Sequence, residues 1–427
     1  MRREIITVAL VVCSCLASAQ KSVTLWECYD SAATASPLAG ERALYTEMSS
    51  LRERNLATGY MPSLDLNGSF VYNSDVVDMS DMLGSLPIPP GSLPSVPHEQ
   101  YRATLDINQV IWDGGVTRSA RAVEQVIRDL NLQQNEADIY RLREQVNNLF
   151  FSVLLASSQS EVVALLINDI DARIKETRSG VDNGVLPPVS LDVLNAERIR
   201  AGQSLIELNL RKTALIDALE NITGMNDLRD AVFVLPDVVV ADASPEDNPD
   251  LKIFDIRERQ LEVPESLLKS QRMPKAFAFA QAGYGNPPGS NFLADKADVY
   301  YSLGAGIKWN IFDWNKNSNE RKSLAIQQQL LDIRKSSTEE ALNRMLVIKK
   351  AEIASLEEAS RSDAGLIAIR KRIAATAASQ LENGTLTASQ YMTELNNEKQ
   401  AVIAASVRLI NLARAKVDYM NITGKNK

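Results

Sequence analysis

The chain repeats itself. Asn221-Ile222-Thr223-Gly224 returns as Asn421-Ile422-Thr423-Gly424, Ile111-Trp112-Asp113 as Ile311-Phe312-Asp313, and Asn183-Gly184-x-Leu186 as Asn383-Gly384-x-Leu386, each 200 residues later. Nearer the start of each half the spacing is 212, with Met61-Pro62 matching Met273-Pro274 and Pro37 matching Pro249. The difference of about 12 residues falls between Pro62 and Tyr101, a stretch that holds Pro87, Pro89, Pro90, Pro94 and Pro97. Such a segment is a loop, and loops are where length varies. Several anchors in one order mean tandem duplication, so any fold proposed for one half has to serve the other. The reading divides the chain into an export signal (1–19), a first repeat (20–224), a connector (225–248) and a second repeat (249–427).

Composition removes several function classes. Lys plus Arg is 46 against 54 Asp plus Glu, a net charge of −8, which disfavours a broad nucleic-acid surface. Three Cys cannot staple 427 residues, and a single His, His98, leaves neither a His-based metal site nor a His-dependent triad. The start of the chain has the three parts of an export signal: Arg2 and Arg3, the apolar run Ile5 to Ala17, and the small-x-small site Ala17-Ser18-Ala19. Val12-Cys13-Ser14-Cys15 also fits a lipidation site loosely, so lipid attachment stays open. Cys28 is expected to be a small packed side chain. No later segment reads as the roughly 18 apolar residues of a membrane helix.

Each half follows one plan. A helical stretch (about 24–58, and 249–271) ends at Pro62 or Pro274. A strand pair follows. Leu64, Leu66, Phe70 and Tyr72 alternate with Ser63, Asp65, Asn67 and Ser69; Tyr101, Ala103, Leu105 and Ile107 with Arg102, Thr104, Asp106 and Asn108; Tyr301, Leu303, Ala305, Ile307, Trp309 and Ile311 with Ser302, Gly304, Gly306, Lys308 and Asn310. A period of two gives strands with one apolar and one polar face. The fourth strand, 275–285, is rich in Ala and Phe and its phase is ambiguous. A soluble sheet over a core alternates in this way, and so does a transmembrane barrel with its apolar face in lipid. Strands of about 10 residues suit a tilted span, and Tyr101, Trp112, Tyr301, Trp309 and Phe312 sit where interfacial aromatics would be expected.

Long helices come next. Residues 116–179 lack Gly and Pro, and 316–382 contain only Gly365; either stretch would run about 95–100 Å as one helix. Asp113 and Asp313 stand at N-cap positions. The stripes Ile139, Leu142, Val146, Leu149, Val153 and Leu366, Ile369, Ile373 predict a coiled-coil seam. Glycine turns at Gly184 and Gly384 precede return helices (about 189–222 and 387–422) that stop at Gly224 and Gly424. The two Asn-Ile-Thr strings read as helix ends rather than glycosylation sites.

Taken in order and doubled, Leu25-Trp26-Glu27-Cys28, Met61-Pro62, Ile111-Trp112-Asp113-Gly114-Gly115, the Gly184 and Gly384 turns with their Leu, and the ends Leu210–Gly224 and Leu412–Gly424 resemble the TolC-like outer-membrane efflux proteins over nearly the whole chain after the signal. The resemblance implies an α+β membrane protein: duplicated long helical hairpins forming an α-barrel, plus four transmembrane strands per chain that complete a 12-stranded barrel in a homotrimer. It implies the outer membrane of a Gram-negative bacterium, a duct extending across the periplasm, a belt near 225–250, and no enzymatic activity, cofactor, metal or nucleic acid. The implied partners are outer-membrane lipid, a periplasmic adaptor protein and an inner-membrane pump. Gly184, Leu186, Gly384 and Leu386 are then expected at the adaptor contact, although the same residues could merely turn the chain. Members of the family often carry aspartates six and nine positions after the second tip glycine; this chain has Gln390 and Thr393 there, with Asp192 and Glu394 near, and these four are the constriction candidates. A periplasmic adaptor or structural coiled-coil protein is the alternative, but adaptors carry one hairpin where this chain has two. No carboxylate pair stands out to suggest a glycosidase.

Overall fold

The structure, a computed structural model, describes residues 21–77, 96–241, 244–291, 294 and 296–425. The export signal with Cys13 and Cys15, most of the proline-rich loop and Asp242 lie outside the described residues. The chain runs β1 (Ser22–Val23), α1 (Leu25–Ala35), α2 (Glu41–Ala57), β2 (Ser63–Tyr72), β3 (Glu99–Trp112), α3 (Val116–Asp182) and α4 (Val189–Thr223). It continues with β4 (Val232–Phe233), α5 (Pro249–Gln271), β5 (Lys275–Asn286), β6 (Asp298–Lys308), α6 (Lys316–Ser360), α7 (Asp363–Glu382) and α8 (Ala388–Thr423).

Two compact units emerge. One comprises Ala43–Leu132 and Phe254–Arg334. Its centre is an antiparallel sheet in the order β2-β3-β5-β6, so each repeat supplies a hairpin and β2 and β6 are left as open edges. A bulge lies between Val110 and Trp112 where β3 meets β5.

The other unit comprises residues up to Arg42, Gln133–Ile253 and Lys335 onward. Its main core gathers Leu25, Cys28 and Tyr29 of α1 with Val146, Phe150, Phe151 and Val153 of α3, Leu219 of α4 and Val417 of α8. Phe150, Phe151, Val146 and Val153 are fully buried, and burying side chains of this size stabilises by about 1.5–3 kcal/mol each. The Tyr29 hydroxyl, at the edge of this core, meets Asn147 and accepts from Asn421 Nδ2 at 3.1 Å. Burial pushes the Cys28 thiol up to about 12, as suits an inert packed cysteine. The parallel pair β1–β4 closes this end.

Several sequence expectations change in detail. The first helical stretch is two helices, because Pro37 starts a short 3₁₀ turn capped by the Ser36 hydroxyl, which accepts from Leu38 N–H. The stretch 316–382 is interrupted at Arg361-Ser362, where Ser360 and Ser362 turn their hydroxyls back to the carbonyls of Leu356 and Ala359. The last strand is 298–308 rather than 301–311: its partner β5 begins at Lys275, directly after Pro274, so nothing remains for residues beyond Lys308 to pair with. Val146 and Val153 of the stripe on α3 are buried in the core, whereas Leu366, Ile369 and Ile373 stay 39–49% exposed in the single chain. Finally, α3 does contain an 18-residue window of mean hydropathy 1.7, long and apolar enough to cross a membrane by length and composition. Val146, Phe150, Phe151 and Val153 of α3 pack into the core, while 28% of that apolar window is buried in the single chain.

Candidate functional site

The sheet has two chemically opposite faces. Registered across the four strands, one face carries Leu64, Leu66 and Phe70, then Tyr101, Ala103, Leu105 and Ile107, then Ala276, Ala278, Ala280 and Ala282, then Tyr301, Leu303, Ala305 and Ile307. It has no charged side chain at these positions, and its large residues are bare: Leu66 and Tyr301 are 80% exposed and Ile307 79%. An uncovered apolar surface that wide marks contact with another protein or with lipid.

The opposite face is polar and tied laterally. Asp106 accepts from Asn67 Nδ2 and Gln281 Nε2, both at 2.6 Å, and from Thr104 Oγ1 at 3.0 Å, so one carboxylate links β2, β3 and β5. Asp65, Asn108 and Ser302 line the same shallow cavity of about 490 Å³. The ambiguous strand β5 resolves here. Its alanines join the apolar face, while Phe277 and Phe279 lie on the polar face over Gly306 and Gly304, whose Cβ positions would fall 2.6 and 2.3 Å from those rings. Sequence reasoning missed this pairing; the two glycines spaced by two in β6 were the available signal.

Of the aromatics expected at membrane interfaces, Tyr101 and Trp112 lie on β3, Tyr301 lies within β6, and Trp309 and Phe312 follow the strand. All five are exposed. Trp309 donates its indole N–H to the Arg272 carbonyl at 3.0 Å, and Phe312 packs edge-on to Trp314 at 4.8 Å.

The strand-to-helix junctions are built alike in both repeats. Asp113 accepts from the N–H groups of Gly115 (2.8 Å) and Thr117 (2.6 Å) and from the Tyr60 hydroxyl (2.6 Å). Burial opposes the Asp113 charge, but these hydrogen bonds outweigh it and hold the carboxyl well below the usual range. Asp313 likewise accepts from Asn317 N–H at 3.1 Å. Gly114 and Gly115 have φ of +74° and +88°; the second repeat puts Trp314 and Asn315 into the same left-handed region.

At the far end of the helices the two glycine turns lie side by side. In each, the residue after the glycine and the following Leu both donate to one carbonyl, Gly180 or Gln380. Arg173 of α3 pairs with Glu382 at 2.5 Å and lies 5.3 Å from the Tyr391 ring centre, and Lys399 pairs with Asp169 at 2.6 Å. Leu186 is buried beneath its own turn against Gly180, Leu386 packs partly against the cluster that holds Leu381, Tyr391 and Leu395, and Val185 is left 58% exposed. Gln390, Thr393 and Glu394 line one groove between α7 and α8, of about 640 Å³, together with Leu386. Each already has an internal partner: Gln390 closes a capping box with Thr387, Thr393 donates to the Ser389 carbonyl, and Glu394 faces Arg370 at 3.5 Å. Asp192 sits apart from this groove, in the first turn of α4.

No protein-family model matches the sequence, and no curated protein matches it. Solved structures do match in shape. A membrane protein from Pseudomonas aeruginosa superposes with a TM-score of 0.69 at 14% identity, covering 95% of this chain and 91% of that one. The open state of the MtrE outer membrane channel of Neisseria gonorrhoeae gives 0.66 at 15% identity over 94% and 89%. The CmeC outer membrane channel of Campylobacter jejuni gives 0.65 at 14% over 94% and 85%. Identity this low establishes a shared fold and nothing finer.

Proposed function

The chain has the fold of TolC-like outer-membrane efflux channels, and from that premise we propose that it is the outer-membrane channel of a tripartite efflux or secretion system, a passive exit duct for small molecules or peptides. The observation that carries the reading is the two-faced sheet with two open edges. Backbone groups on an open edge have no partners in lipid, so four strands cannot span a membrane alone. Three copies joined edge to edge supply 12 strands and close the barrel by threefold symmetry. The apolar face then meets lipid and the Asn67–Asp106–Gln281 face lines water.

On this reading the helical hairpins form an α-barrel in the periplasm, and the paired turns meet a periplasmic adaptor linked to an inner-membrane pump. Gly184 and Gly384 provide the tight turns. Leu186 and Leu386 support them from beneath, and Val185 is the apolar group offered outward. Constriction falls to the groove of Gln390, Thr393 and Glu394 and to Asp192. Because neutral side chains occupy two of those positions, a dense acidic ring is not expected. No step in this role requires a catalytic group.

Imaging of the detergent-extracted protein tests the proposal. A threefold particle with a detergent collar at one end is expected. A solitary water-soluble monomer would overturn it.

A further inference from the structure

We propose that β6 pairs with β2 of a second copy in one fixed register, Lys308 opposite Asn67, and that residues 309–312 become strand only through that contact. This rests on the channel reading above and adds to it the seam between subunits.

The duplication carries register as well as sequence. Within the first repeat Ser63 stands opposite Asn108, and Phe70 opposite Tyr101. Moving β2 on by 212 residues and β3 by 200, the two offsets of the repeat, sets Lys275 opposite Lys308 and Ala282 opposite Tyr301. Both pairs are observed. The repeats also meet each other, where β3 lies antiparallel to β5 with Asn108 opposite Phe279 and Leu105 opposite Ala282. The counterpart of β3 is β6, and the counterpart of β5 is β2. These two are the outer edges of one sheet with two strands between them, so only β2 of another copy can repeat the β3–β5 ladder on β6. The same offsets then set Lys308 opposite Asn67, Ile307 opposite Gly68, Ala305 opposite Phe70 and Leu303 opposite Tyr72.

Residues 309–312 show what the edge lacks. In both repeats the hairpin partner runs out at the same place, since β2 begins opposite Asn108 and β5 opposite Lys308. β3 nevertheless continues to Trp112, because Gln109, Val110 and Trp112 pair with Ala278, Phe277 and Ala276 of the neighbouring repeat, across a bulge at Ile111. β6 has no such neighbour in its own chain and stops at Lys308. In the proposed register Trp309 meets Leu66, Asn310 meets Asp65, and Phe312, past the bulge, meets Leu64.

The side chains fit that ladder. On the apolar face large meets small: Phe70 faces Ala305, and Ile307 faces Gly68, around whose Cβ position the single chain leaves open space. On the polar face Asp65 falls opposite Asn310 and diagonal to Lys308, and opposite charges on one face of a ladder attract. Asp106 is held by three donors of its own chain, whereas Asp65 accepts only from Ser63, at 3.3 Å, among the described residues. A one-residue slip would set Trp309 against Asp65 or Asn67 and send every pair to opposite faces. A two-residue slip keeps the faces, and the observed β3–β5 register decides against it.

The test oxidises paired-cysteine variants of the full chain in membranes and reads the covalent species on non-reducing gels. Cys28 is buried and stays out of the reaction. Lys308→Cys/Asn67→Cys is expected to give a covalent ring of three. Its yield should exceed that of Lys308→Cys/Asp65→Cys and Lys308→Cys/Ser69→Cys about ten-fold, because opposite positions lie within disulfide reach and diagonal ones, at about 7–8 Å, do not. Asn310→Cys/Asp65→Cys should link as well, and it reads the same register if losing the Asn67–Asp106 bond weakens assembly. Each single cysteine should give no ring. Threefold particles that link through a shifted pair, or through no pair, overturn the register while leaving the channel reading standing. A Lys308–Asn67 link without the Asn310–Asp65 link overturns the lengthening of β6. A wild-type protein that stays monomeric in the membrane overturns both readings.

Discussion

Leu303→Arg separates a lipid-facing sheet from a water-facing one. Leu303 stands at the middle of β6, opposite Ala280, on the face it shares with Ile107 and Leu64, and is 76% exposed. If that face met water, the substitution would fall within about 0.5 kcal/mol of neutral, as exposed changes do. At a bilayer midplane an arginine costs about 2–4 kcal/mol. That is roughly a 30- to 1,000-fold loss in the folded-to-unfolded ratio per chain. Ser302→Arg is the matched control: same side chain, adjacent residue, opposite face, exposed on the polar side. Denaturant unfolding in vesicles, followed by tryptophan fluorescence, measures both variants. We expect Leu303→Arg to lose stability in the stated range and Ser302→Arg to stay near wild type. Equal stabilities, or a larger loss for Ser302→Arg, would refute the assignment of the faces.

Gly424→Ala should destabilise by more than about 2 kcal/mol, because φ is +82° and the new Cβ would fall 2.2–2.4 Å from backbone atoms of Asp247 and Asn248. Gly184→Ala, with φ +72° and open space around it, should cost only about 1 kcal/mol, and thermal denaturation of the two variants checks the order. Asp113 makes stability pH-dependent. Its folded pKa is depressed, so its contribution is present above the ordinary carboxylate range near about 4 and disappears as pH falls towards the folded value. Asp113→Asn should flatten the acid limb of the stability profile; an unchanged profile would remove that role from the carboxylate.

The strand faces were legible in the sequence because alternation depends only on the pleat. β2 was read with its observed ends because Pro62 marks its start and the polar-apolar alternation holds through most of its length, Gly68 and Val71 excepted. β5 was not, since its outward residues are alanines and its bulky ones stand over glycines of a neighbouring strand, a complementarity that exists only once register is set. The end of β6 was misplaced for a related reason: Trp309 and Ile311 continue the alternation, but hydrogen bonding stops where the partner strand begins. The break at Arg361-Ser362 carries neither Pro nor Gly and arises from serine hydroxyls competing for helix carbonyls. At the turns, Gly184 and Gly384 could be found from spacing. The burial of Leu186, the exposure of Val185 and the Arg173–Glu382 tie depend on how two distant hairpins meet.

The open outer edges of β2 and β6 bear on inheritance. If every working pore needs intact edges from three polypeptides, a cell making both sound and edge-spoiled subunits would retain functional pores only as the cube of the sound fraction. A proline placed in β6, which removes a hydrogen-bond donor there, would then act as a dominant allele rather than a silent loss.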